Sequence, residues 1–209
     1  MEEIACILCH NEKNHFRFEK KSRHGESFSL KKCKKCNLEF VSPRPDQKEI
    51  GKYYSSEYFT TRTERGYDNY FSQEIKSEIE RIIELNLQDL NFYDFEKKIE
   101  SKRALDIGCA AGYFVNYLQN RDWDSMGIDI SKDCVDFART NGLNVNNGDY
   151  LEFDFSEKFD LITLWASIEH LHVPQQFLMK IRDDLNDDGM IFISTCRSGG
   201  LNFMKFFGA

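Results

Sequence analysis

Cys6-Ile-Leu-Cys9 and Cys33-Lys-Lys-Cys36 form two knuckles with 23 residues between them. A two-residue spacer lets a tight turn aim both sulfurs at one ion, and four thiolates complete a tetrahedral zinc shell. The pattern predicts a zinc ribbon held by Cys6, Cys9, Cys33 and Cys36, with a β-hairpin filling the gap. Four sulfurs leave no position open to a substrate, so the zinc is expected to be structural, and His10, His15 and His24 are not needed as ligands. A redox dithiol pair is the competing reading. A segment of about 45 residues buries too little apolar surface to be stable alone, so metal binding would supply its folding energy. Cys109, Cys134 and Cys196 stand well apart and read as small apolar residues.

The second chemical constellation is Ala104-Leu-Asp-Ile-Gly-Cys-Ala-Ala-Gly-Tyr-Phe-Val115, a buried strand running through glycines into an amphipathic helix. Such a turn presses backbone N–H groups and a helix start against a ligand. A dinucleotide fingerprint begun at Gly108 needs glycines at 110 and 113, where Ala110 and Tyr113 stand. Asp106 would also repel a pyrophosphate, and it would attract an ammonium. S-adenosylmethionine carries an ammonium and a sulfonium and no phosphate, so the charge favours it over NAD. Asp129, 23 residues after Asp106, ends a second strand and is placed to accept from both ribose hydroxyls. Asp149 follows a third strand, where it can accept from the adenine amine. Each aspartate alone is most often a cap or turn former; three in order at successive strand ends carry more weight.

These residues need a scaffold, and three zones of pattern supply one. Residues 1–45 hold four cysteines and short β-like stretches at 16–18, 27–30 and 39–41. Residues 46–100 read as a helical linker or lid, with Ile75, Ile79, Ile82, Ile83, Leu87 and Leu90 at three- and four-residue steps. From 101 to 209, apolar runs at 104–107, 125–130, 143–146, 161–165 and 190–195 alternate with amphipathic stretches. That alternation predicts an α/β, Rossmann-like parallel sheet of about five strands, covered on both faces. There is no internal repeat and no low-complexity linker.

Composition narrows the function. Hydrophobic residues at 41% and charged residues at 30% are those of a globular chain. A net charge of −7 argues against a uniformly basic nucleic-acid binder, and no apolar run is long enough for a membrane span. The opening MEEIACILCH has no secretory pattern, and seven cysteines without one suggest a reducing, cytoplasmic setting. Charge is unevenly spread. Between Cys6 and Cys36 nine basic residues face three glutamates, leaving −13 for the remainder. The segment is either a solvated polar surface or a patch for an anionic partner such as a sugar nucleotide or RNA.

Residues 101–195 resemble class I S-adenosylmethionine-dependent methyltransferases. Asp106-x-Gly108-x-Ala110-x-Gly112 is similar to that family's first motif, with Ala110 in place of the usual middle glycine. Phe159-Asp-Leu-Ile-Thr-Leu-Trp-Ala-Ser-Ile-Glu-His-Leu171 resembles its fourth-strand motif, with the Glu169-His170 pair. Phe40-Val-Ser-Pro-Arg-Pro-Asp46 and Tyr53-Tyr-Ser-Ser-Glu-Tyr58 resemble a subgroup that carries an N-terminal zinc ribbon and is often associated with saccharides and sugar nucleotides. The resemblance implies O- or C-methylation of a small or saccharide-type acceptor. It also implies cofactor contacts from Asp106, Gly108, Cys109, Gly112, Asp129, Ile130, Asp149, Tyr150 and Trp165. A sugar hydroxyl benefits from a general base. His170 is the candidate, with a locally bonded turn residue as its alternative. Glu169 fits a helix-dipole role equally well, and Trp165 fits the core as well as the pocket.

The family fold ends in a hairpin beside the fifth strand, and only 14 residues follow residue 195. The resemblance therefore implies a missing C-terminal hairpin and an exposed fifth strand through which the chain self-associates, with Leu201-Asn-Phe-Met-Lys-Phe-Phe207 needing cover. Two other functions remain open: an RNA or protein methyltransferase docking through the basic ribbon, and an inactive methyltransferase serving as a partner subunit.

Overall fold

A computed structural model of the chain describes residues 1–22, 25–54, 56–61 and 69–195. Two compact units divide it, the first Met1–Tyr53 and the second beginning at Tyr54. The apolar tail at 201–207, expected to need cover, lies outside the described residues.

In the first unit, β1 (Asn14–Lys21), β2 (Ser27–Cys33) and β3 (Glu39–Val41) form an antiparallel sheet in chain order. A bulge between Phe16 and Phe18 shifts the β1–β2 register. Among the described residues, its buried hydrophobic cluster holds Cys6, Cys33 and Phe40, with Ile4, Cys9, Cys36 and Leu38 packed against it. The unit runs beyond the expected boundary at 45, because residues 46–53 are tied back. The Met1 ammonium pairs with Glu49 at 2.8 Å, Lys52 with Glu26 at 3.5 Å, and the Tyr53 ring meets Phe28 edge-on.

The second unit opens with α1 (Ser56–Thr60), α2 (Gln73–Asp89) and α3 (Phe92–Glu96). Ser72 caps α2 by accepting from the Ile75 N–H, as a serine before an apolar-periodic run should. The expected stripe is only partly inward: Ile83 and Leu87 are buried, while Ile82 and Leu90 stand exposed. These helices are not a separate linker domain. Ile83, Leu87, Phe92 and Phe95 share one buried cluster with Ala104, Phe114, Leu118, Trp123 and Leu161, so they cover one face of the sheet that follows.

That sheet contains β4 (Arg103–Ile107), β5 (Asp124–Asp129), β6 (Val145–Asn147), β7 (Phe159–Trp165) and β8 (Leu185–Ser194). Among the described residues the order is β6-β5-β4-β7-β8, all parallel. The crossovers are α4 (Tyr113–Gln119), α5 (Lys132–Thr140) and α6 (Pro174–Asp184). Strands β4 and β7 are buried on both faces, which is why they read as unbroken apolar runs. The run at 190–195 reads the same way, yet Met190 and Ile193 are exposed and Phe192 is the buried member, because β8 lies at the edge. Strand order reverses between β4 and β7, which opens a crevice at their carboxyl ends. Among the described residues, no helix is long and apolar enough to cross a membrane.

Candidate functional site

The turn from β4 into α4 is held open by left-handed backbone. Gly108, Ala110 and Gly112 have φ of 74°, 46° and 73°. Gly108 permits a second requirement as well: a Cβ there would lie 2.5 Å from Ser167 Oγ. The Gly108 and Cys109 N–H groups both donate to the Ile128 carbonyl, at 2.8 and 3.2 Å, locking the turn onto β5.

Two carboxylates flank it. Asp106 is 4% exposed and accepts from Thr163 Oγ1 at 2.7 Å. Burial pushes its carboxyl up to about 7; the threonine bond opposes this, and the nearby Asp129 charge adds to it. Asp129 accepts from the Ser131 and Ala110 N–H groups, one on each oxygen, both at 2.7 Å. Burial raises its pKa too, against those two bonds. A carboxylate offers about four lone-pair sites, so two remain for hydroxyl donors. Ile130, 47% exposed, stands next to it. Asp149 lies past β6 and caps the following 3-10 turn through the Leu151 N–H at 3.0 Å.

Beyond β7, Ala166 (φ 51°) bends the chain and Ser167 bonds the Trp165 carbonyl. Trp165 packs edge-on against Phe114, and its indole N–H is buried without an acceptor among the described residues. Glu169 and His170 are exposed on the next turn. The His170 ring stands edge-on to Tyr54 at 6.0 Å. Tyr54 is held to the site through its carbonyl, which accepts from Ser131 Oγ. Burial raises its phenol pKa, with Tyr58, Asp129 and Glu169 adding to the effect.

The structure thus brings Asp106, Gly108, Gly112, Asp129, Ile130, Asp149, Trp165 and His170 to the carboxyl edge of one sheet. Two expected contacts turn inward. Cys109 is buried beside Val115 and Val135, and its sulfur would lie 2.5 Å from a Cβ at Gly127. Tyr150 is 1% exposed in the opposite core, with its hydroxyl on Asp184 and the Lys180 ammonium over its ring. A residue next to a mouth residue in sequence need not share its direction. Thr163, Ser167 and Tyr54 were not singled out by spacing, because their roles depend on which strands become neighbours.

A family model described as "Methyltransferase domain" matches residues 69–202, well over half of the chain. The chain belongs to the methyltransferase-domain family. Its similarity to individual methyltransferases is more distant. A ubiquinone biosynthesis O-methyltransferase of Glaesserella parasuis is 32% identical over 106 residues, covering 45% of each protein. The mitochondrial enzyme of that name from Saccharomyces cerevisiae is 28% identical over 136 residues, covering 60% of this chain and 41% of its own. The chain spans about half the length of the curated relatives it matches. A solved protein of Pyrococcus horikoshii OT3 aligns with a TM-score of 0.50 and 25% identity, over 66% of this chain and 63% of that one. The plantazolicin methyltransferase, solved in complex with SAH, aligns at 0.51 with 20% identity over 70% and 59%. That protein and this chain share a fold.

The matched residues exclude the ribbon, whose cysteines form the other candidate site. Cys6, Cys9, Cys33 and Cys36 place their sulfurs within 4.8 Å of one another, with Cys6–Cys36 and Cys9–Cys33 both at 3.5 Å. A tetrahedron with bonds of about 2.3 Å to zinc has sulfur–sulfur edges of about 3.8 Å, which lies between the 3.5 Å of these two pairs and the 4.8 Å within which all four sulfurs fall. The knuckles repeat one backbone pattern. His10 and Asn37 return N–H bonds to the Cys6 and Cys33 carbonyls, both in left-handed conformation (φ 55° and 64°). The Lys35 N–H and the Asn11 side-chain amide point at Cys33 Sγ, the bonds that stabilise a thiolate.

Proposed function

We propose that this methyltransferase-family chain binds S-adenosylmethionine at the carboxyl ends of β4 and β5 and methylates a hydroxyl of a small acceptor. A saccharide-type molecule is the preferred class. The observation that carries the reading is the pairing of the glycine-rich turn with two buried, phosphate-repelling carboxylates, Asp106 and Asp129, on adjacent strands. Bound S-adenosylmethionine supplies a methyl group already activated by its sulfonium.

The chain's own part is to bind, orient and exclude water. Asp106 faces the ammonium, Asp129 accepts from the ribose hydroxyls, and Ile130 and Asp149 border the adenine. Trp165 and Tyr54 wall the transfer region. His170 takes the acceptor proton. The cysteine cluster holds a structural zinc: four sulfurs within 4.8 Å of one another would close the shell, which favours metal over dithiol redox work.

Calorimetry with S-adenosylmethionine, and separately with NADH, tests the donor; binding of NADH alone overturns the reading. Methyl transfer to a panel of nucleotide sugars, free sugars and phenols tests the acceptor. His170→Gln should lower the rate by about 10²-fold or more with donor affinity unchanged, the loss typical of a missing general base. A full rate in that variant removes His170 from the chemistry.

A further inference from the structure

The four ribbon cysteines divide by exposure and by contact in the same way. Cys6 and Cys33 are buried, at 0% and 1% exposure. Cys9 and Cys36 are half-buried, on turns whose neighbours Leu8, His10, Lys34 and Lys35 are exposed. The sulfurs in contact at 3.5 Å are Cys6 with Cys36 and Cys9 with Cys33. Each contact therefore joins a reachable sulfur on one knuckle to a buried sulfur on the other.

The backbone holds the two knuckles in that register. Cys33 lies opposite Asn14 in the β1–β2 ladder, and the Lys34 N–H donates to the Lys13 carbonyl at 3.0 Å. The Asn11 amide donates to the Lys13 carbonyl at 2.7 Å and to Cys33 Sγ at 3.6 Å, so the first knuckle's flank fixes a sulfur of the second. A covalent S–S bond is about 2.05 Å long. Pairs already in contact need the smallest movement to form one.

We propose that the ribbon is an oxidation site at which peroxide links Cys6 to Cys36 and Cys9 to Cys33, with release of the metal. What is released rests on the structural-zinc reading; the connectivity rests on the sulfur contacts alone. The half-buried sulfur of each pair attacks one oxygen of hydrogen peroxide. The O–O bond breaks, the sulfur becomes a sulfenic acid, and the other oxygen leaves as water. The buried partner then attacks the sulfenic sulfur; S–S forms, S–O breaks, and the second oxygen leaves as water. Each pair gives up two electrons, and each peroxide becomes two waters. For the zinc-bound ribbon, two peroxides oxidise four thiolates, and four protons from solvent complete the waters. The ribbon then lets go of the ion, because the thiolate and not the disulfide is the metal ligand. Both new bonds cross from one knuckle to the other, as the metal shell does. The oxidised ribbon thus stays closed, with two covalent cross-links in place of one metallic one. This is a response of the metal site, not dithiol catalysis.

The test is titration of the full, zinc-loaded chain with hydrogen peroxide, with released zinc followed by a chromogenic chelator. One zinc should appear for every four thiols lost. Mass spectrometry of non-reduced digests reads the connectivity: trypsin cuts after Lys34 and Lys35, between Cys33 and Cys36, and chymotrypsin after Leu8, between Cys6 and Cys9. Peptides joined as Cys6–Cys36 and Cys9–Cys33 should dominate, and dithiothreitol with added zinc should restore the metal and thiol counts. The oxidised chain should keep the ribbon's melting transition, which the reduced, chelator-treated chain loses. S-adenosylmethionine affinity should not change. Dominant Cys6–Cys9 and Cys33–Cys36 links, sulfinic acids without disulfides, or full zinc retention under a large excess of peroxide would each overturn the proposal. Metal analysis of untreated protein that finds no zinc would instead defeat the zinc reading, and the peptide map would still decide the connectivity.

Discussion

Ala110 carries the clearest strain in the glycine-rich turn. It holds φ of 46° between two glycines at 74° and 73°, and an alanine in the left-handed region costs about 1–2 kcal/mol, partly offset by the greater unfolded freedom of glycine. Ala110→Gly should therefore stabilise the second unit by about 0.5–1 kcal/mol in denaturant melts. Gly108→Ala should do the reverse and lose donor binding, because its Cβ would meet Ser167 Oγ at 2.5 Å. Asp106 sets a pH response. With its carboxyl pushed up to about 7, it is mostly neutral at pH 6 and ionised at pH 8. A cationic donor should bind about tenfold more weakly at pH 6 than at pH 8, and calorimetry at the two pH values measures this directly. The sign for stability is opposite. The native carboxyl takes up a proton more readily than the unfolded one, whose ordinary value is 3.8. Its contribution to the free protein is thus full below about pH 4 and declines as pH rises toward 7.

The helices preceding the sheet act through a polar latch that patterns of apolar residues do not reveal. Tyr93 and Tyr117 both donate to Glu84, at 2.6 Å each, joining α2 and α3 to α4. Arg121 lies over the Tyr93 and Tyr117 rings and pairs with Glu96, which also accepts from Trp123 Nε1 at 2.8 Å. Tyr117→Phe removes one bond to a charged acceptor and should cost about 1.5 kcal/mol or more. Urea unfolding followed by tryptophan fluorescence checks it, with Trp123 as the reporter beside the latch. A cost near zero would mean that Tyr93 alone holds Glu84. The stripe of α2 was legible at Ile83 and Leu87. Its exposed members, Ile82 and Leu90, were not, since periodicity marks a helix but not the width of the surface that receives it.

At the scale of the molecule, the two units have separate cores of very different size: a cluster of Cys6, Cys33 and Phe40, against extensive clusters on both faces of the sheet. Stability should follow suit. Removing metal with a strong chelator, or replacing Cys33 by Ser, should unfold the ribbon while the second unit keeps its melting transition and its donor affinity within a few-fold. Metal analysis is expected to find about one zinc per chain. Loss of both transitions together would show that the units fold as one. A ribbon that persists without metal would show that its small apolar core suffices.

The sequence alone determined the features that depend on neighbours in the chain. The two Cys-x-x-Cys knuckles, the strand–glycine–helix turn, the alternation of buried strands with helices and the ordered aspartates are all local patterns of spacing. Local backbone geometry converts such spacing directly into shape. Tertiary structure decided what depends on pairing between distant segments. The order β6-β5-β4-β7-β8 brought Thr163 onto Asp106 and Ser167 over Gly108. It turned Tyr150 and Cys109 inward although both adjoin mouth residues. It also assigned residues 46–53 to the ribbon and the helices after them to the sheet. The physical reason is that side-chain direction at the end of a strand depends on twist, register and the neighbouring strand, and none of these is written in the spacing of one segment.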